Sequence, residues 1–139
     1  MFLSLLTPDQ FAAFMFLADE FISSDKTISA EEKSILERMS REALVLEESN
    51  RTFESHNDAT STFDSRKSRS IALLELLGIA YADGDYRGEE SQYINGLADE
   101  LGIPMMTLAG MQNWVLRQVA LTNEALGFFP EPSDEAEGY

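Results

Sequence analysis

The sequence contains no cysteine, one histidine and few basic residues. The absence of cysteine excludes disulfides and thiolate zinc sites. Ten Lys and Arg residues stand against 25 Asp and Glu residues, which gives a formal net charge of −15. Proteins that bind nucleic acid or anionic membranes need clustered Lys and Arg, so this balance argues against both classes. It favours cations or a basic protein partner.

A long hydrophobic run is also absent. The longest, from Ile71 to Ala82, is interrupted by Glu75 and falls short of the ~20 apolar residues that span a bilayer. Residues 1–6 lack the basic segment of a signal peptide, and their apolar run breaks at Pro8. With 139 residues, of which 44% are hydrophobic, the chain predicts one packed cytoplasmic domain.

The spacing of the apolar residues predicts an all-α fold, because no stretch alternates with period two. Thr7 with Gln10, and Ser29 with Glu32, form the capping-box pattern that marks helix starts. The first helix runs to about Ser23, and its apolar stripe is wide enough for a central helix or for one shared with a second subunit. Further helices are expected at about 29–46, 67–82, 88–102 and 104–127.

Two stretches of the chain repeat one pattern, from Asp25 to Leu36 and from Asp83 to Ile94. In each, an apolar helix ends at an Asp, a polar loop follows, and a pair of Glu residues opens the next helix. The pattern predicts two helix–acidic loop–helix units, at about 10–46 and 67–102, followed by a long C-terminal helix in a domain of residues 1–129. The segment between them, 49–65, is either a mobile connection or an irregular, partly helical crossover. The acidic tail, 130–139, is predicted to be disordered.

The stretch Leu73 to Gly102 resembles the tellurite-resistance TerB-like family. The resemblance rests on an apolar helix, the sequence Ala82-Asp83-Gly84, a short loop and a Glu that opens the next helix. The first unit is similar, with Lys26 where the family favours Gly. The resemblance implies a helical bundle with internal duplication that binds a divalent metal through its acidic loops. It also implies a role in stress responses or as a protein-interaction module.

The two acidic loops supply the candidate metal ligands, since hard cations of the Ca²⁺ or Mg²⁺ class prefer shells made entirely of oxygen. An EF-hand is excluded, because Ile94 occupies the position of its bidentate glutamate. The alternative is that these acids only cap helices, where a negative charge in the first turn is stabilising. The candidate ligands are Asp83, Asp85, Glu89 and Glu90 in the second loop, and Asp25, Glu31 and Glu32 in the first.

His56 lies in a polar stretch with no partner suggested by spacing, so we expect it to be exposed to solvent. A Ser–His nucleophilic system would have to use this single histidine, and no catalytic residue is predicted. The chain is therefore not expected to be an enzyme. A metal-dependent carboxylate enzyme is the weaker alternative.

Three further groups have two interpretations each. The basic cluster of Arg66, Lys67 and Arg69 either docks an acidic partner or balances surface charge. Trp114 and its neighbouring methionines, at 105, 106 and 111, either pack in the core or form an adaptable binding face. Phe128-Phe129 is expected to fold back on the core, with a dimer contact as the alternative.

The sequence as a whole predicts a small, non-catalytic TerB-like module that binds a divalent cation and a protein partner. The alternative is a metal-independent scaffold or adaptor whose acidic loops are only helix caps. In that case the wide stripe of the first helix marks a homodimer or partner interface.

Overall fold

The computed structural model describes residues 2–24, 52–82 and 88–129 together with Ser34, with the backbone alone at 24 and 88–90. All secondary structure within these residues is helical, which confirms the all-α prediction for this part of the chain. A 3₁₀ turn, Leu3–Leu5, precedes five α-helices. These are α1 Pro8–Ser24, α2 His56–Ser61, α3 Arg66–Ala80, α4 Gly88–Glu100 and α5 Met105–Leu126.

None of the helices in the described ranges is long and apolar enough to cross a membrane. The predicted helix at 29–46 and the tail at 130–139 lie outside the described residues. The internal repeat stays a prediction for the same reason, because most of its first unit falls in the range 25–51.

Local capping fixes where several helices begin and end. At the start of α1, the backbone N–H of Gln10 donates to Thr7 Oγ1, and Gln10 Oε1 accepts from the Thr7 N–H. Ser65 and Ser68 form the same reciprocal box at α3. α4 stops at Gly102, whose φ of +71° lets the Ile103 N–H reach back to the carbonyl of Ala98 at 2.8 Å. This is a Schellman end, which needs a residue that tolerates the left-handed region.

α1 and α3 carry most of the core. The stripe of α1 is covered within the chain, with Phe14, Leu17 and Phe21 at most 1% exposed, as a central helix requires. α3 is buried on nearly all sides and contacts the N-terminal 3₁₀ turn, α1, α4 and α5. It ends at Ala80, slightly before the predicted Ala82, and the Ala82 N–H then bonds to the carbonyl of Ile79, three residues back, in place of the helical bond four residues back.

The described part of the crossover, residues 52–65, is irregular with one short helix, α2. Phe63 is buried in the core, and Phe53 packs against Phe16 of α1. The buried Gln10 side chain donates to Asp64 Oδ1 at 3.2 Å, which ties the crossover to the start of α1. The partly helical alternative is therefore correct for these residues.

The C-terminal helix differs from expectation at its end. Phe128 and Phe129 do not fold back on the core and are 76% and 69% exposed. The physical reason is that α5 is longer than the body it packs against, so its last turns extend past the core. Core packing holds for Trp114 and Met111, which are partly buried, whereas Met105 and Met106 are exposed.

Replacing Leu73 by Ala tests the assignment of α3 to the centre. Leu73 is fully buried, so the substitution should lower the free energy of unfolding by about 2–5 kcal/mol in a denaturant titration. Leu5→Ala is the matched control, because Leu5 is 56% exposed and should change stability by less than about 0.5 kcal/mol. Equal effects of the two variants would contradict the central position of α3.

Candidate functional site

The predicted metal ligands fall largely beyond the described residues. Asp25, Glu31, Glu32, Asp83 and Asp85 lie outside them. For the remaining two candidates, Glu89 and Glu90, the structure gives the backbone alone, which lies in the first turn of α4. Among the residues that the structure describes, no group of three His, Cys, Asp or Glu residues could hold a metal ion.

Within the described residues, the most distinctive polar cluster is centred on His56. This residue opens α2 and lies between two carboxylates: its Nδ1 contacts Glu20 Oε1 of α1, and its Nε2 contacts Glu100 Oε2 at the end of α4. The prediction that His56 is solvent-exposed is wrong, because its side chain is only 26% exposed. One ring thus joins three helices that are far apart in the sequence.

Tyr93 of α4 completes this cluster. Its hydroxyl lies 2.9 Å from Glu20 Oε1 and 3.2 Å from the carbonyl oxygen of Leu17, and it can donate its one proton to either. Its ring meets the His56 ring edge-on, with centroids 6.0 Å apart, and also packs against Phe21. Burial, followed by the hydrogen bond and charge of Glu20, raises the pKa of Tyr93, so the hydroxyl remains neutral.

The geometry selects the charged form of His56. A carboxylate only accepts hydrogen bonds, so two carboxylates at the two ring nitrogens require both nitrogens to carry protons. Partial burial on its own lowers the pKa of His56, but the hydrogen bonds and charges of Glu20 and Glu100 raise it above the ordinary 6.5. The imidazolium also offsets Glu100, whose negative charge at the end of α4 is opposed by the helix dipole. We call this arrangement of Glu20, His56, Tyr93 and Glu100 the histidine clasp.

The histidine clasp is suited to holding helices together. The two ring nitrogens point in opposite directions, so Glu20 and Glu100 cannot share one metal ion with His56. Both nitrogens are already engaged by carboxylates, which leaves neither free to act as a general base in this arrangement. The clasp is therefore an electrostatic link between α1, α2 and α4.

Sequence reasoning missed the histidine clasp because its partners are distant along the chain. Glu20 and Glu100 lie 36 and 44 residues from His56, and no local spacing connects them. One signal was available: Ser55 is a good N-cap, and it accepts from the Asp58 N–H at 3.1 Å. That cap would have placed His56 in the first turn of a helix, where an unpaired imidazolium is unfavourable.

The basic cluster is partly structural. Arg69 Nε donates to the carbonyl of Phe63 at 2.9 Å and holds the end of the crossover against α3. Arg66 and Arg69 line a recess of about 160 Å³ between the starts of α3 and α5. A neighbouring recess of about 260 Å³ also includes Glu100. Both are smaller than the ~300–1,000 Å³ of pockets that enclose drug-sized ligands.

No family model matches the chain, and neither a curated protein nor a solved structure matches it. The TerB-like resemblance stays a prediction that rests on the residues quoted for it.

The stability of the protein should depend on pH through His56. Because its folded pKa is raised, the clasp contributes fully below pH 6.5 and is lost as pH rises through the folded pKa. The free energy of unfolding of the wild type should therefore fall, relative to His56→Gln, as the pH rises above about 6.5.

The single histidine allows a direct check by NMR. The midpoint of its Cε1–H titration should lie above 6.5 in the folded protein and should move down in Glu100→Gln. A midpoint at or below 6.5 would show that the two carboxylates do not hold the imidazolium. Lys67→Gln is a suitable control for a change of surface charge away from the clasp.

Proposed function

We propose that this chain is a non-catalytic helical module that binds a protein partner through the end of α5. The observation that carries the proposal is the continuous exposure of residues 120–129. Within this stretch Leu126, Phe128 and Phe129 are 58%, 76% and 69% exposed. Clustered exposed apolar side chains are typical of binding surfaces.

The end of α5 continues the stripe that packs in the core. Leu108 and Val115 are buried, Val119 is partly buried, and Leu126 follows at the next heptad step with most of its surface exposed. The apolar stripe of α5 thus extends past the packed core before the helix ends. We call Val119, Leu126, Phe128 and Phe129 the end strip.

An uncovered helix end benefits from a partner for a simple reason. Short helices are marginal in water, and most of their stability in proteins comes from packing an apolar face. A partner that covers the end strip would stabilise the last turns of α5 and remove apolar surface from water.

The net charge favours a basic partner. A chain of formal charge −15 attracts positively charged proteins and speeds their encounter, whereas it repels acidic ones. The end strip itself holds no charged side chain, so contact is made by apolar groups while the surrounding field steers association.

A second candidate function is divalent-cation binding by the acidic loop that joins α3 to α4. The supporting observation is that these two helices pack against each other and that α4 begins at Gly88, as the helix–acidic loop–helix pattern predicts. This arrangement agrees with the TerB-like resemblance. Asp83, Asp85, Glu89 and Glu90 are the proposed ligands, with Asp25, Glu31 and Glu32 as their counterparts in the first loop.

Partner binding is tested by replacing Leu126 and Phe129 together with Ser. Partners captured with the wild type from extract of the native cell should be purified and titrated by calorimetry against each variant. The double variant should bind at least about tenfold more weakly, and binding to the wild type should show the negative heat-capacity change of apolar burial. Asn123→Ser, which alters an exposed residue of the same turns, should bind normally. Equal affinities of the double variant and the wild type would show that the end strip does not bind the partner.

Cation binding is tested by thermal unfolding of metal-stripped protein with Ca²⁺, Mg²⁺, Mn²⁺ or Zn²⁺ at matched ionic strength. A cation at 100 times its dissociation constant adds about 2.7 kcal/mol and should raise Tm by roughly 10 °C. The rise should disappear in Asp83→Asn/Glu90→Gln. It should remain in Asp19→Asn/Asp99→Asn, which removes the same charge from exposed sites elsewhere. Equal small rises in all three proteins would indicate charge screening without a site.

A further inference from the structure

α5 is unusually poor in charge, and the two charged residues that it has both lie on the side that faces away from the core. α5 contains two charged residues among 22, Arg117 and Glu124, although the whole chain has 10 basic and 25 acidic residues. Depletion of charge on an exposed surface is typical of the centre of protein interfaces. This side of the helix is distinct from the end strip.

The surface can be defined from helix geometry. At 100° per residue, ten exposed positions of α5 fall within about half of the circumference, opposite the buried Leu108 and Val115, and six of them lie in the C-terminal half of the helix. We call these six residues the outer face: Leu116, Arg117, Ala120, Leu121, Glu124 and Ala125. Leu116 and Leu121 are 48% and 60% exposed, which is high for leucines in mid-helix.

The charges on the outer face are complementary to each other when the direction of the helix is reversed. Consider two copies of α5 that cross antiparallel, with a two-fold axis between Ala120 and Leu121. Arg117 then lies opposite Glu124 of the partner subunit, and the symmetry makes this ion pair twice. Leu121 lies beside Leu121 of the partner subunit close to the axis, so two exposed apolar side chains meet there.

The outer face therefore matches a second copy of itself in charge, with an apolar contact at the axis. Within the described part of the chain, neither Arg117 nor Glu124 has a recorded ion pair, so both remain available for such contacts.

We propose that the outer face of α5 binds a second copy of this chain in an antiparallel, two-fold symmetric dimer. Such an interface is isologous, and the mutual matching of charge is the property it requires. A heterologous partner would not need a sequence that matches its own reverse. The proposal does not depend on the partner assigned to the end strip.

Two physical effects limit the strength of this dimer. Each copy carries −15, and two copies repel at distances below the Debye length, which is about 8 Å at 0.15 M salt. A single pair of helices also gives an interface at the small end of the range, below about 1,200 Å². The expected dissociation constant is therefore of the order of 10 µM or weaker at 0.15 M salt.

Charge reversal with rescue provides the test. Sedimentation equilibrium of the full chain, from about 1 µM to 1 mM at 0.15 M salt, should show a monomer–dimer equilibrium for the wild type. Arg117→Glu and Glu124→Arg each place like charges opposite one another and should weaken dimerisation at least about tenfold. The double variant, R117E/E124R, restores both ion pairs with reversed polarity and should dimerise like the wild type.

The readouts separate the dimer from folding and from the end strip. Circular dichroism should give each variant the helix content of the wild type, because both positions are exposed. A wild type that stays monomeric up to 1 mM overturns the proposal, and so does a double variant that fails to recover. Leu126→Ser/Phe129→Ser should still dimerise. Loss of dimerisation and loss of partner binding by the end strip are therefore seen in different variants.

Discussion

The burial of α3 is the constraint on which the other elements depend. Nine of its 15 residues are buried, on several sides of the helix, and a helix of this kind is stable in water only when neighbours cover it all round. α1, α4, α5 and the N-terminal 3₁₀ turn supply that cover.

Two of the buried residues of α3 are polar, and each has an explanation. Ser68 closes the capping box with Ser65, and Glu75 accepts a hydrogen bond from the Phe2 N–H.

The positions of α1, α3, α4 and α5 could be predicted from sequence because they depend on local chemistry. The Thr7–Gln10 box, the stop at Gly102 and the start at Gly88 each depend on residues within one or two turns. The length of the body could not be predicted in the same way. Phe128 and Phe129 were expected to pack on the core, but that outcome depends on how far α5 reaches beyond α3, which no local pattern encodes.

The same distinction between local chemistry and long-range packing applies to the candidate site. The start of α4 at Gly88, which places Glu89 and Glu90 in a first helical turn, followed from a short pattern and agrees with the backbone. The histidine clasp required knowledge of which helices are neighbours, because Glu20, His56 and Glu100 come from three of them. The absence of a partner nearby in sequence predicts that His56 is exposed, whereas tertiary packing places it between two acids. The contacts of His56 with Glu20 and Glu100 form only where the packed helices bring these residues together, so local sequence patterns do not predict them.

The distribution of charge links the histidine clasp to α5. Acidic groups dominate the chain and repel one another, so packed helices that bring carboxylates together need a compensating cation. His56 supplies it where Glu20 and Glu100 approach, and it is the only side chain in the sequence whose ordinary pKa lies near neutrality. α5 avoids the same problem by carrying almost no charge. α5 packs mainly against α3 and takes no part in the histidine clasp. A rise in pH therefore weakens the electrostatic link between α1, α2 and α4 and leaves the surfaces of α5 in place.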